Sequence, residues 1–412
     1  MALTLRSGAR GVSLLTLGLV LGSAGVSGAG SNVWTSNGPL DGEVVSIAVD
    51  PQVPCIYAGT WSRSQGLYKS TDGGAGWTVR FQSNTYDGGV TAIASDPSNP
   101  NILYIGLSRT GIRRAMRALE DWSVSSQIQD WGYESAGLPR DPTYGTLHIR
   151  GIAIDPLTPS TLYAVVDGQG LFKSTDGGGS WRSSLPHLMI GPMAVNPIHP
   201  DTLYATCGNG VFKSTNGGLS WSPSSAGIVG VNFYAIAVAP AAPNTLYAAS
   251  NQGLFGSTDG AATWRRLMPA MATSFTALAV DPRNAGIVYA GTYSRGVFRS
   301  ADSGDNWASL SQGLPAVADT AGSPLEPITA LAVDPRDSTM VYAGTRRGVF
   351  VIQIQQQTIS VAPRPTQADE VVSPPPGPPT RPALHPQRPA MRTPAARLDS
   401  LAKRIQRGVL RR

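Results

Sequence analysis

The chain is 412 residues long with a formal net charge of +6, but residues 361–412 alone carry ten Lys or Arg against three Asp or Glu. Without that tail and the two arginines of the first 30 residues, the body holds 20 basic and 23 acidic residues, which excludes the basic footprint of a nucleic-acid binder. Two cysteines in so long a chain exclude a disulfide-framed fold.

Residues 1–29 read as a signal peptide. Arg6 and Arg10 give the basic start, residues 12–26 the apolar core and Ser27-Gly28-Ala29 a small-residue cleavage site. The core is too short and glycine-rich for a retained span. The expected mature protein is exported, periplasmic or extracellular. Residues 32–40, NVWTSNGPL, then form a Trp-led strand with no partner strands ahead of it.

From about residue 45 to 353 the chain repeats itself seven times. Each unit has an apolar run ending in or near Asp-Pro, such as FTALAVDP, then a run such as VYAGT, then one such as GVFRS. Alanine recurs in the first run (48, 94, 153, 194, 237, 279, 332) and tyrosine in the second (57, 104, 163, 204, 247, 289, 342). Glycine opens the third (66, 111, 170, 210, 253, 296, 348), and a tryptophan opens a fourth. Four short strands cannot bury both faces of their sheet alone, so neighbours must stack. Radial stacking gives an all-β, single seven-bladed β-propeller of four-stranded blades over residues 30–356. The alanine fits the innermost strand, where blades crowd the axis.

The second unit has no Ser-x-Asp phrase, and Trp131 is the expected opener of its fourth strand. It precedes Gly137-Leu138-Pro139 by six residues, as Trp307 precedes Gly313-Leu314-Pro315. The seventh unit ends GVFVIQ without a fourth strand. The Trp-led segment at 32–40 is expected to supply it and lock the ring, since an open edge is a liability. Cys55 and Cys207 fall in blades nearly across that ring, so they are expected as free thiols.

Between the third run and the tryptophan lies a recurring phrase. Its copies are Ser70-x-Asp72 to Trp77, Ser174-x-Asp176 to Trp181, Ser214-x-Asn216 to Trp221, Ser257-x-Asp259 to Trp264 and Ser300-x-Asp302 to Trp307. It lacks the Lys-Ser/Thr and helix of a phosphate loop and the carboxylate count of a calcium loop. A hairpin accounts for every position: Ser and Asp oxygens accept turn N–H groups, and glycine supplies positive φ. These phrases resemble Asp-box (BNR) repeats, found in sialidases, tandem-propeller xyloglucan hydrolases, sortilin-type receptors and the photosystem II assembly-factor propeller. The resemblance implies that the boxes are structural and that ligands bind on the opposite face.

On that opposite face lie the turns between second and third strands. They offer Trp61 and Arg63, Arg109, Asp167, Asn209, Asn251, Tyr293 and Arg295, then Arg346 and Arg347. In a closed ring, Trp61, Arg63, Arg109, Tyr293, Arg295, Arg346 and Arg347 form one arc on blades six, seven, one and two. Arginine with aromatics is the composition of a protein-binding surface. The plainer reading is a set of solubilising surface charges. Catalysis has little support: Asp41, Glu43, Asp87, Asp141, Asp319 and Glu326 sit on inter-blade links, and nothing pairs them as a glycosidase requires. Arg150 and Tyr234 are large where other units carry small residues, so they gate the channel or fill it. Histidines 148, 187, 199 and 385 lie scattered, with no metal spacing, and no cofactor is expected.

Residues 357–397, with SPPPGPP at 373–379, read as a semi-rigid Pro-rich linker. Residues 398–412 read as a basic amphipathic helix with Leu398, Leu401, Ile405 and Val409 on one stripe. That pattern suits an anionic membrane surface or a partner groove, with a solvated tail as the alternative. Two functions stay open. One is a monomeric, non-catalytic scaffold that binds a protein partner and assists assembly of an envelope or membrane complex. The other is a carbohydrate-active propeller, a glycoside hydrolase or polysaccharide binder, with Trp61, Tyr86, Tyr144 and Tyr293 stacking on sugar rings.

Overall fold

The computed structural model describes residues 32–39, 42–61, 66–116, 131–141, 143, 145–186, 190–208, 210–228, 232–268, 271, 273–317 and 324–355. The expected signal peptide, Pro-rich linker and basic helix lie outside the described residues. Within them, seven four-stranded antiparallel sheets form a seven-bladed propeller. Blade one runs Val44–Val49, Ile56–Thr60, Leu67–Ser70, Thr78–Phe81, each strand pairing with the next. The first strands of successive blades are neighbours all the way round, which makes them the innermost ring.

Blade seven is built from both ends of the domain. Ala330–Val333, Met340–Thr345 and Gly348–Gln353 come from the last repeat, and Thr35–Gly38 supplies the outer strand. Thr35 lies opposite Val351 and Ser36 opposite Phe350. In blade two, Trp131–Tyr133 forms the outer strand with Trp131 opposite Ala115. That is the register step the other tryptophans occupy, because Ala115 and Ser70 end equivalent third strands.

The repeated alanine and tyrosine explain each other. In all seven blades the two lie directly across the first and second strands, from Ala48 opposite Tyr57 to Ala332 opposite Tyr342. Directly opposed residues share a face, so a small partner leaves room for the ring. The alanine is on the innermost strand, but this pairing, besides axial crowding, sets its size. The tyrosines are buried, and burial raises their phenol pKa values. Tyr104 donates its hydroxyl to the Gly177 carbonyl at 3.0 Å, and Tyr163 donates to Gly217 at 3.3 Å, each carbonyl lying in the box of the following blade. Arg114, Lys173 and Lys213 reach across in the same direction to Gly177, Gly217 and Gly260.

The box itself is a closed hydrogen-bond circuit. Ser174 Oγ donates to Asp176 Oδ1 at 2.7 Å and accepts from the Gly178 amide at 2.9 Å. Asp176 accepts the amide and hydroxyl of Ser180 at 2.9 and 2.6 Å. The Ser70, Ser214, Ser257 and Ser300 boxes repeat the serine contact, with Asn216 replacing the acid in the third. Thus each box closes a turn, and the Ser174, Ser214 and Ser257 boxes offer a glycine carbonyl to the blade before them.

The outer tryptophans divide into two kinds. Trp34, Trp181 and Trp264, of blades seven, three and five, are buried and donate their indole N–H to Leu310, Glu134 and Ser224 of the preceding blade. Their backbone amides bond Gln312, Ala136 and Ala226. Under each passes a glycine in left-handed conformation: Gly313, Gly137 and Gly227. A Cβ there would come within 2.2 to 2.4 Å of the tryptophan's own carbonyl. Trp77 and Trp307 instead bond carbonyls of their own turns, and Trp221 bonds Ser184 Oγ. Among the described indoles, wedged and unwedged interfaces therefore alternate from the junction of blades two and three round to that of blades seven and one.

Replacing the wedged Trp34 should cost most. Trp34→Ala is expected to lower unfolding free energy by about 3–5 kcal/mol, against less than half that for half-exposed Trp307→Ala, in urea titrations of the two variants. The boxes should also mark acid stability. Hydrogen bonds from Ser180, from Thr263 and from the Asn306 amide hold Asp176, Asp259 and Asp302, respectively, at about 2. These acids bind protons more weakly folded than unfolded, so their contribution is complete above about pH 4 and lost towards pH 2. The stability gap between wild type and Asp176→Asn, followed by thermal melts, should shrink over that window.

Candidate binding surface

The face opposite the boxes is shaped by one slot in each innermost strand. The register between first and second strands breaks after Val44, Val90, Ile149, Phe233 and Phe275, and again between Ile190 and Met193. A bulge leaves its extra residue unpaired and free to act elsewhere. In blades two, six and seven the slot holds Thr91, Thr276 and Thr329. Their hydroxyls donate to the Ile149, Ile328 and Val44 carbonyls of the next blade. Ser46, one residue on, does the same for Val90 at 3.3 Å. Blades six to three are thereby tied together at the rim.

Blades three, four and five break this belt, holding Arg150, Gly191 and Tyr234 in the slot. A pocket of about 320 Å³ opens there, lined by Arg150, Gly191, Thr206, Cys207, Phe233 and Tyr234. Asp167, from the second-to-third-strand turn of blade three, holds the arginine, with Arg150 Nε 2.8 Å from Asp167 Oδ1. The other carboxylate oxygen lies 3.4 Å from His148 Nδ1, and the Asp167 amide donates to the His148 carbonyl at 2.9 Å. On its far side His148 meets Trp61 edge to face, ring centroids 5.9 Å apart. Trp61 and His148 help line a second pocket of about 410 Å³ with Ser108, Arg109 and Thr146. His148 thus lines one pocket and contacts Asp167 in the wall of the other.

The residues expected in the arc are exposed. Trp61 is 48% and Tyr293 55% exposed, and Arg109, Arg295, Arg346 and Arg347 all reach solvent. Arg63 lies outside the described residues, as do Asn209, Tyr144, Asp41, Asp319, His187 and His385. Arg346 Nε stands 3.8 Å from Glu43, and Arg347 Nε stands 3.6 Å from Glu326. Arg109 donates to the Thr85 carbonyl. Among the link carboxylates, Asp87 is buried, 2.7 Å from Arg113, and accepts the Thr110 hydroxyl, which makes it structural. Glu326 is buried with one oxygen unbonded. Both cysteines are buried free thiols, and burial raises both pKa values, so neither is a ready nucleophile.

Sequence reading singled out Arg150, Tyr234 and Asp167 separately and left His148 among scattered histidines. The link between them is the bulge, which no repeat alignment of residue types displays. Burial pushes the His148 pKa below the ordinary histidine range, while the Asp167 carboxylate opposes the shift. Removing that carboxylate should lower the pKa further. In Asp167→Asn, the His148 ring proton followed by NMR should titrate at lower pH than in wild type; an upward shift would overturn the assignment of the pair.

No family model matches the chain, and no curated protein matches it in sequence. Among solved structures, the GH74 xyloglucanase from Xanthomonas campestris superposes with a TM-score of 0.61 at 20% identity, covering 78% of this chain and 54% of that one. The chain thus spans about half the length of the xyloglucanases it matches. YCF48 bound to D1 peptide gives 0.56 at 14% identity, covering 80% of this chain and 99% of YCF48. The extracellular domain of BT4673 from B. thetaiotaomicron gives 0.59 at 14%, over 80% and 40%. At such identities the likeness is one of fold: the chain is a seven-bladed β-propeller structurally similar to GH74 xyloglucanases, YCF48 and the BT4673 sensor domain.

Proposed function

We propose that this is an exported, non-catalytic propeller whose face opposite the boxes captures an acidic segment of a protein partner, as part of assembling or stabilising an envelope complex. One observation carries the reading. Arg295 with Tyr293 on blade six, Arg346 and Arg347 on blade seven, Trp61 on blade one and Arg109 on blade two stand exposed along one arc. The acidic neighbours of Arg347 and Arg346 stand off at 3.6 and 3.8 Å, beyond a short charge-assisted bond, so an incoming carboxylate can take their place. YCF48, a propeller of similar extent, binds D1 peptide, which supports a peptide as the kind of ligand this face suits.

The carbohydrate reading rests on exposed Trp61 at the wall of the larger pocket. Against hydrolysis, Asp87 is committed to Arg113, and Glu43 and Glu326 each face an arginine, at 3.8 and 3.6 Å. A glycosidase needs two carboxyl groups facing one bond.

The two readings separate in a capture experiment on detergent-solubilised envelopes. Arg109→Glu with Arg295→Glu is the suitable control, because neither arginine has a carboxylate partner among the described residues. Reversing Arg347 would set a second acid against buried Glu326 and risk the fold. A protein retained by wild type and lost in the double variant, with an unchanged melting temperature, is the expected outcome. Capture of wall polysaccharide alone, abolished by Trp61→Ala, would overturn it.

A further inference from the structure

The gap in the threonine belt is a built feature. Three neighbouring blades abandon the hydroxyl that ties their neighbours, and they do so with the largest and the smallest residues in the slot. Arg150 and Tyr234 stand as two posts, with Gly191 between them. The floor is Thr206, Cys207, Ile190 and Phe233, of which Ile190, Cys207 and Phe233 are nearly buried. Arg150 spends its Nε on Asp167, which fixes the guanidinium plane. Its two terminal nitrogens have no partner among the described residues. A guanidinium so held presents a flat two-pronged donor edge.

We propose that this notch binds a carboxylate of a peptide, with Arg150 forking the carboxylate, Tyr234 flanking it and the adjoining aliphatic group resting on Ile190 and Phe233. The charge of the site selects the ligand. Arg150 and Asp167 cancel, and His148 is neutral near pH 7, so no surplus positive charge awaits a phosphate dianion. A dianion would meet Asp167, whereas a flat monoanion matches the fork. A uronic sugar carries the same carboxylate but also a ring of hydroxyls. Two of the polar side chains there are already engaged: Thr206 Oγ1 donates to the Pro192 carbonyl, and Asp167 is shared by Arg150 and His148. The volume, about 320 Å³, lies at the small end of ligand pockets, suited to one residue end and not to an extended chain.

The notch lies on blades three to five, away from the arginine arc, so either assignment can fail alone. The test is saturation-transfer NMR on the full chain with oligogalacturonate and with three acetylated leucine-rich tetrapeptides, each at millimolar concentration. One ends in a free carboxylate, one is its C-terminal amide, and one is an amide carrying an internal Asp. Signal from the free-acid peptide, the Asp peptide or both, with none from the neutral amide, is expected, and the pattern tells a chain terminus from a side chain as the source. It should fall at least tenfold in Arg150→Gln and in Arg150→Lys, which keeps the charge but loses the fork, while melting temperatures hold. Binding should persist in the Arg109→Glu, Arg295→Glu variant. Equal signal from the neutral amide, undiminished binding in Arg150→Gln, no binding by any peptide, or a response only to oligogalacturonate would each overturn the proposal.

Discussion

The whole fold depends on one strand pairing, that of Thr35–Gly38 with Gly348–Gln353. Every other blade is completed by residues that follow one another along the chain. Only here must segments more than 300 residues apart meet, so the loop-closure entropy of the ring is concentrated in one ladder. Trp34 anchors that ladder to blade six through its indole and its amide, so closure fixes the neighbour as well as the sheet.

Radial order was legible in the sequence because seven units share a spacing that only stacked four-stranded sheets satisfy. The position of Trp131 and the use of residues 32–40 as the closing strand followed from counting what each unit lacked. Less legible were the reasons. The alanine was read as crowded by the axis, but its register opposite the tyrosine also explains its size. The box was read as a hairpin brace, and its glycine carbonyl proves to be also the acceptor for the preceding blade. The first is a matter of register between adjacent strands and the second of a partner more than forty residues away, and residue type alone reveals neither.

The upper face shows the same limit more sharply. Arginines in turns are visible in any alignment of the repeats, so the arc could be named before the fold was seen. The coupling of His148, Asp167 and Arg150 depends on a bulge that turns one residue out of the ladder. Stability and recognition also divide the bulge slot between them. Where it carries threonine it ties blades together, and where it carries arginine, glycine or tyrosine the tie is given up and a cavity appears. Four of the seven inter-blade junctions keep the hydroxyl tie, a distribution that confines the opening to one sector without loosening the closure.

The alternation of wedged tryptophans has an arithmetic consequence. Blades two and three, four and five, and six and seven form couples, each joined by an indole N–H bond and by a glycine packed against the tryptophan's backbone. A ring of seven cannot be divided into couples, so blade one is left as the odd member between the last couple and the first. The ring therefore reads as three couples and one remaining blade, which meets blade seven without a wedge. That remaining blade gives an otherwise repetitive circle an odd member: a whole couple could be gained or lost without changing the parity of the blades, whereas a single blade could not.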